Sequence, residues 1–170
     1  MTKMRAAISS CAMLLVLFGW CSAAFPDERV SQLASDLKSS DLRVRLRAAM
    51  SLSEIGSAAK EAVPELAEAV LDQNLNVRFY AAKTLANIGP DAKAAVPALI
   101  KALATFPGGT PPLDGPQRYY ADTRWVAAEA LGAVGPGAKD AVPALQKALN
   151  DVSPDVRSAA AAALKQIQRK

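Results

Sequence analysis

Apolar side chains recur every three or four residues in the middle of the chain. They occupy Val77, Ala81, Leu85 and Ile88, a spacing that places them on one face of an α-helix. Gly89 and Pro90 follow directly. We expect this pair to end the helix, because glycine fits a left-handed cap and proline cannot continue the hydrogen-bond ladder. The pattern predicts a helix from about Leu75 to Ile88.

A shorter helix precedes this one and completes a hairpin. Its apolar face is formed by Val63, Leu66, Ala67 and Val70. Pro64 lies near its start, where the missing N–H of proline is not needed for a helical hydrogen bond. The sequence predicts this first helix over about residues 62–71, joined to the second by a polar turn at residues 72–74.

The hairpin pattern occurs four times, and its equivalent positions are 33, 46 and 33 residues apart. Each copy carries an arginine, a pair of alanines, a leucine and a final isoleucine or valine. A single hairpin cannot bury its apolar face, whereas stacked hairpins can. We therefore predict an all-α, right-handed α-solenoid with repeats at about residues 30–58, 62–91, 95–137 and 141–168. The aligned arginines are Arg45, Arg78, Arg124 and Arg157.

The shared pattern P-x-L-x-x-A-(x)n-V-R-x-x-A-A-x-x-L-x-x-I-G-P resembles the HEAT repeat family. It is most similar to the short HEAT-like repeats of the phycobilisome lyase type. The resemblance implies that the second helices line a concave face and that the repeat arginines are structural, bonding carboxylates or carbonyls in the turns. Asp72 and Asp151 each lie six residues before a repeat arginine, within reach of it. Two departures stand out: the first copy lacks the proline, and the third carries an insertion.

The N-terminus has the three parts of a secretory signal peptide. Lys3 and Arg5 precede an apolar segment that extends to Trp20, and small residues follow at positions 22–24. We expect cleavage after Ala24 and export to the periplasm or the medium, which lowers the net charge from +4 to +2. Two alternatives remain open, an uncleaved membrane anchor and lipidation at Cys21. Membrane association is expected only in those two cases.

Composition leaves little basis for catalysis. The chain has no histidine, and its two cysteines, Cys11 and Cys21, lie in the predicted signal peptide. This excludes cysteine–histidine and serine–histidine nucleophiles and ordinary zinc sites in residues 25–170. No glycine-rich phosphate loop is present either. We expect no enzymatic activity, no metal and no cofactor.

The position after each repeat arginine is opposite the buried stripe on a helical wheel. It holds Leu46, Phe79, Trp125 and Ser158. Large apolar residues in adjacent repeats predict an exposed stripe on the concave face, with Lys83 and Glu129 one turn further along. The alternative is that the curvature of the repeats hides these residues in the core.

The third repeat carries 13 extra residues, since Pro97 and Arg124 are 27 apart whereas Pro64 and Arg78 are 14 apart. Four prolines and three glycines predict a stiff surface loop over residues 105–117. Insertions of this kind are often functional, although an inert loop is the alternative. The candidate partner-binding residues are Phe79, Tyr80, Tyr119, Tyr120, Trp125, Leu46, Lys83 and Glu129.

We therefore predict a non-catalytic, exported scaffold that binds a protein or peptide through its concave surface and inserted loop. One alternative is a bilin lyase or chaperone-like accessory protein, which rests on the family resemblance alone. The other is a binder of an anionic polymer such as nucleic acid, which a net charge of +2 supports only weakly. The sequence does not indicate an oligomeric state.

Overall fold

A computed structural model describes residues 26–105 and 123–169 of the chain. These ranges contain eight α-helices in four successive pairs and no strand, which confirms the prediction of an all-α solenoid. The predicted signal peptide, Tyr119, Tyr120 and all of the inserted loop beyond Thr105 lie outside the described residues. The helices are α1 (Pro26–Asp36), α2 (Leu42–Ile55), α3 (Val63–Ala69), α4 (Leu75–Ile88), α5 (Val96–Thr105), α6 (Thr123–Val134), α7 (Val142–Ala148) and α8 (Pro154–Ile167).

Side-chain caps mark the start of two of the second helices, α2 and α4. Asn74 is in an extended conformation just before α4, and its Oδ1 accepts hydrogen bonds from the N–H groups of Asn76 and Val77 at 2.9 and 3.3 Å. Asp41 does the same before α2, where its Oδ1 accepts from the N–H of Arg43 at 2.8 Å. Such caps satisfy N–H groups that the first turn leaves without a helical partner. Helix α4 accordingly begins and ends where the sequence predicts.

Glycines end the helices α2, α4 and α6, with positive φ at Gly56, Gly89 and Gly135. At Gly56 and Gly89 the ψ angle is −130°. The expected left-handed helical cap, whose ψ is near +47°, is therefore wrong for these two residues. The reason is that the chain does not reverse there but continues directly into another helical segment. Glycine suits this conformation because it has no Cβ, whereas any other residue would have a strained backbone at these angles.

Each of these glycines opens a seven-residue 3₁₀ segment, where the sequence suggested only a linker. Residues three apart are eclipsed in a 3₁₀ helix and so share one face. In every segment two alanines three apart are buried, and the lysine after the first of them is exposed. The segments are Gly56–Ala62, Gly89–Ala95 and Gly135–Ala141, and the buried pairs are Ala59 and Ala62, Ala92 and Ala95, and Ala138 and Ala141.

The second helices pack closely on each other from repeat to repeat, α2 on α4, α4 on α6 and α6 on α8. The first helices contact one another much less. We infer from this closer packing that the second-helix side is the concave side of the array, which is what the resemblance implies. Alanine pairs allow this close approach because small side chains let two helices come together. In α4 and α6 these are Ala81, Ala82, Ala127 and Ala128, all fully buried.

The repeat arginines hold the turns between paired helices. In three turns, one Nη1 group donates to two consecutive backbone carbonyls at 2.8 to 3.1 Å. These bonds fix the turn against the second helix of its own repeat. The sets are Arg45 with Ser39 and Ser40, Arg78 with Asp72 and Gln73, and Arg157 with Asp151 and Val152.

The aspartates of these turns pair with the preceding repeat. Arg45 Nε lies 2.7 Å from Asp72 Oδ2, and Arg124 Nη1 lies 2.7 Å from Asp151 Oδ2. The repeat arginines therefore bond both carbonyls and carboxylates of the turns, as the resemblance implied. The backbone carbonyl of each aspartate accepts from the arginine six residues later, whereas its carboxylate forms an ion pair with the arginine of the repeat before.

Arg78 links its turn to α6, since its Nε donates to Thr123 Oγ1 at 3.4 Å. Burial lowers the pKa of the Arg78 guanidinium from its ordinary value, and attraction to Asp72 partly offsets this.

No helix in residues 26–105 or 123–169 has the length and apolar character needed to cross a membrane.

Candidate functional site

The predicted concave stripe is only partly exposed. Phe79 is 8% exposed and belongs to the core, so the expectation that it is an exposed anchor is wrong. Leu46 and Trp125 are half-buried, and Ser158 is exposed. The helical wheel failed at Phe79 because it considers one hairpin, whereas α4 has neighbours in both adjacent repeats. The alternative drawn from the curvature of the array therefore holds for this residue.

Three aromatic side chains pack together where α4 meets α6. The rings of Phe79 and Tyr80 are 5.4 Å apart and nearly perpendicular. The rings of Phe79 and Trp125 are 6.3 Å apart and tilted by 60°. Both are favourable geometries for aromatic pairs. Trp125, which is half-buried, therefore packs against the buried ring of Phe79.

A groove of about 780 Å³ lies between α6 and α8, next to Trp125. We call it the α6–α8 groove. Its volume falls within the ~300–1,000 Å³ range of ligand sites in proteins. The described residues that line it are Trp125, Glu129, Gly132, Asp155, Ser158, Ala159, Ala162, Ala163 and Gln166.

Small residues create the groove. Helix α8 carries five consecutive alanines at residues 159–163, and three of them line the groove. At its floor α6 and α8 approach so closely that a Cβ added to Gly132 would lie 2.9 Å from the Cα of Ala163. The two helices are therefore in close contact at Gly132. The small side chains of the alanines leave open space beside this contact.

The polar groups of the groove are not engaged with one another. Glu129, Asp155, Ser158 and Gln166 are exposed. In the described part of the chain neither Glu129 nor Asp155 forms an ion pair. The described ranges contain no group of three or more His, Cys, Asp or Glu side chains arranged to hold a metal ion. The groove thus offers an aromatic face, an apolar floor and two carboxylates.

The structure brings together only some of the candidate binding residues. Trp125 and Glu129 line the groove, and Tyr80 supports it through Phe79. Lys83 is exposed on α4, and Leu46 packs against the core in the first repeat, so neither lines it. Tyr119 and Tyr120 lie outside the described residues.

Apart from Ser158, sequence reasoning missed the α8 side of the groove. The signal was present in two places, the five-alanine run of α8 and the glycine at residue 132, where the second repeat has Ala86. Neither was recognised as part of a site. Only the packing of α6 on α8 shows that the small residues leave a groove beside Trp125.

The chain belongs to the HEAT repeat family, whose model matches residues 28–108 and 117–170. No curated protein sequence matches it. Solved structures with the same architecture include two engineered proteins. One is 28% identical with a TM-score of 0.61, covering 82% of this chain and 38% of that one. The other is 25% identical with a TM-score of 0.60, covering 81% of this chain and 62% of that one.

A natural structure is also similar, the complex of CpcE and CpcF of phycocyanin lyase from Nostoc. It is 27% identical with a TM-score of 0.52, covering 86% of this chain and 66% of that one. This finding confirms the resemblance to the phycobilisome lyase type of HEAT-like repeat. The chain spans less than two thirds of the length of each of these structures.

Proposed function

We propose that this chain is a non-catalytic, exported scaffold that binds a protein or peptide partner through the α6–α8 groove. One observation carries the proposal. A groove of about 780 Å³ on the concave side holds a half-buried tryptophan beside exposed polar groups that form no ion pair within the described residues.

The chemistry of the groove favours a polypeptide partner. Tryptophan is enriched among the residues that dominate binding at interfaces, because it buries a large area in a well-packed setting. The Trp125 ring already packs against Phe79 in the free chain. A partner therefore meets an indole that is partly ordered before binding. HEAT repeats commonly mediate protein interactions, and the similar phycocyanin lyase structure is itself a complex of two proteins.

The test uses the full chain as bait and compares it with two variants. Trp125→Ala removes the aromatic face, and Met50→Ala truncates an exposed apolar residue of the second helix in the first repeat. A partner of the groove should bind Trp125→Ala weaker by about 2 kcal/mol or more. It should bind Met50→Ala as tightly as the unmodified chain. Equal affinity for the Trp125 variant and the unmodified chain would exclude the groove as the binding site.

Two companion measurements address the loop and the export. Deleting residues 105–117 restores the 33-residue spacing, so weaker binding of that variant would show that the loop contributes to the site. Sequencing the N-terminus of the chain recovered outside the cytoplasm should give Phe25 as the first residue. Retention of Met1 in membranes would instead indicate an anchor.

The similarity to a phycocyanin lyase complex favours a second candidate, an accessory protein that handles a bilin. The aromatic face of Trp125 could stack against such a tetrapyrrole. Export argues against this candidate, because phycobilisome lyases meet their substrates inside the cell. An absorbance titration with a bilin decides the question, since a spectral shift supports this candidate and its absence removes it.

A further inference from the structure

The charged groups among the described residues of the α6–α8 groove are all of one sign. Its described lining includes the carboxylates of Glu129 and Asp155 and no lysine or arginine. The whole chain carries a net charge of +4, so this local excess of negative charge runs against its overall balance. A groove lined by one sign of charge attracts the opposite sign and raises the rate of association. The expected ligand is therefore cationic.

The two carboxylates reach the groove from different helices. Trp125 and Glu129 are four residues apart on α6, so their side chains are neighbours on one face of that helix. Asp155 lies in the first turn of α8 and approaches the groove from the facing helix. The groove beside the indole therefore has a carboxylate on each of its two helices.

The basic residues near the groove leave these carboxylates available. Lys83 of α4 and Arg157 and Lys165 of α8 are all exposed, and none of them forms an ion pair within the described residues. Arg157 instead donates to the carbonyls of Asp151 and Val152. Neither the carboxylate of Glu129 nor that of Asp155 thus gives up an ion pair with a described residue when a ligand binds.

We propose that the α6–α8 groove binds an extended peptide segment through an arginine side chain, with the guanidinium stacked on Trp125 and paired with Glu129 and Asp155. This inference rests on the proposed function, that the groove is a peptide site. Arginine fits better than lysine because its planar guanidinium stacks on an aromatic ring and pairs with carboxylates in a fixed fork. The floor formed by Ala159, Ala162 and Ala163 receives an apolar neighbour of that arginine.

The first test is a positional-scanning library of acetylated hexapeptide amides, presented to the full chain. Pools with arginine fixed at one position should bind best, followed by lysine pools. Equal binding by pools fixed as leucine or glutamine would overturn the arginine assignment and leave the peptide scaffold standing. Binding by no pool would overturn both the assignment and the proposed peptide site.

The second test isolates the charge with one peptide from the best pool and its citrulline counterpart, which has the same shape without the positive charge. The citrulline peptide should bind about tenfold weaker at low salt, because each exposed charge contact contributes only modestly. In the double variant E129Q/D155N the two peptides should bind equally. The matched control E61Q/D140N changes two exposed carboxylates of the 3₁₀ segments, away from the groove, and should keep the difference. A tenfold preference that persists in E129Q/D155N would overturn the proposal.

Discussion

Arg124 and Asp151 form an ion pair across the boundary between the third and fourth repeats, with Nη1 2.7 Å from Oδ2. The two side chains are 6% and 14% exposed. The other carboxylate oxygen, Oδ1 of Asp151, accepts from the N–H of Ser153 at 2.8 Å. One aspartate therefore orders its own turn and joins two repeats. Arg45 and Asp72 form the same pair between the first and second repeats.

Replacing Arg124 with methionine should strongly destabilise the array. The change leaves the carboxylate of Asp151 poorly solvated and without its guanidinium, and breaking a buried pair in this way costs about 3–5 kcal/mol. The loss is measured as the free energy of unfolding in urea. Lys38→Met is the control, because Lys38 and Glu65 form an exposed pair that contributes roughly 0–1 kcal/mol. Similar small losses in both variants would mean that the inter-repeat pair is not structural.

Gly132→Ala should destabilise the contact between α6 and α8. Alanine favours a helix over glycine by about 1 kcal/mol, which alone would stabilise the variant. The added Cβ, however, would lie 2.9 Å from the Cα of Ala163, a distance that requires the helices to separate. Overpacking of this kind costs about 1–3 kcal/mol, so the clash should exceed the gain in helix propensity.

Gly137→Ala is the matched control for this prediction. It lies in the 3₁₀ segment after α6, and its added Cβ would come no nearer than 3.3 Å, to a side-chain carbon of Val134. Chemical denaturation of both variants should show a clear loss only for Gly132→Ala. Equal stability of the two would mean that α8 can shift without cost, and the groove would then not be rigid.

Phe79→Ala tests whether this residue is core or anchor. Because Phe79 is 8% exposed and contacts both Tyr80 and Trp125, the truncation should lower the free energy of unfolding by about 3–5 kcal/mol. Lys83→Ala, on the exposed face one turn later, should change it by about 0.5 kcal/mol or less. A stable Phe79→Ala variant would contradict its placement in the core.

The sequence correctly predicted the features that lie within a single repeat, such as the bounds of a helix. Helix α4 could be bounded correctly because its apolar spacing, its polar turn and Gly89 all agree. The ion pair between Asp72 and Arg45 could not be predicted in this way. Sequence distance favours Arg78, six residues from Asp72, over Arg45, which is 27 residues away. In a solenoid each repeat packs directly on the next, so residues about 30 positions apart in sequence can be in contact.

The groove depends on contacts between repeats and was harder to foresee. Helix periodicity describes each helix against its own partner, so it could not show that Phe79 is buried against Trp125 of the next repeat. It also could not show that Gly132 and Ala163 touch, since either residue alone reads as ordinary framework. Trp125 was found because it differs from the repeat, whereas Asp155 was missed because it is one of many surface acids.

Gly89→Ala isolates the conformational requirement at the end of a second helix. Gly89 has φ of 68° and ψ of −130°, and an added Cβ would meet only the carbonyl oxygen of Ala133 at an ordinary 3.6 Å. The cost should therefore come from the backbone alone, about 1–3 kcal/mol. Gly56→Ala is the matched variant, with nearly the same angles and no atom within 4 Å of the added Cβ. Thermal or urea unfolding should give equal losses for the two, since backbone strain does not depend on the surroundings. A loss at Gly89 without one at Gly56 would assign the effect to packing against Ala133 instead.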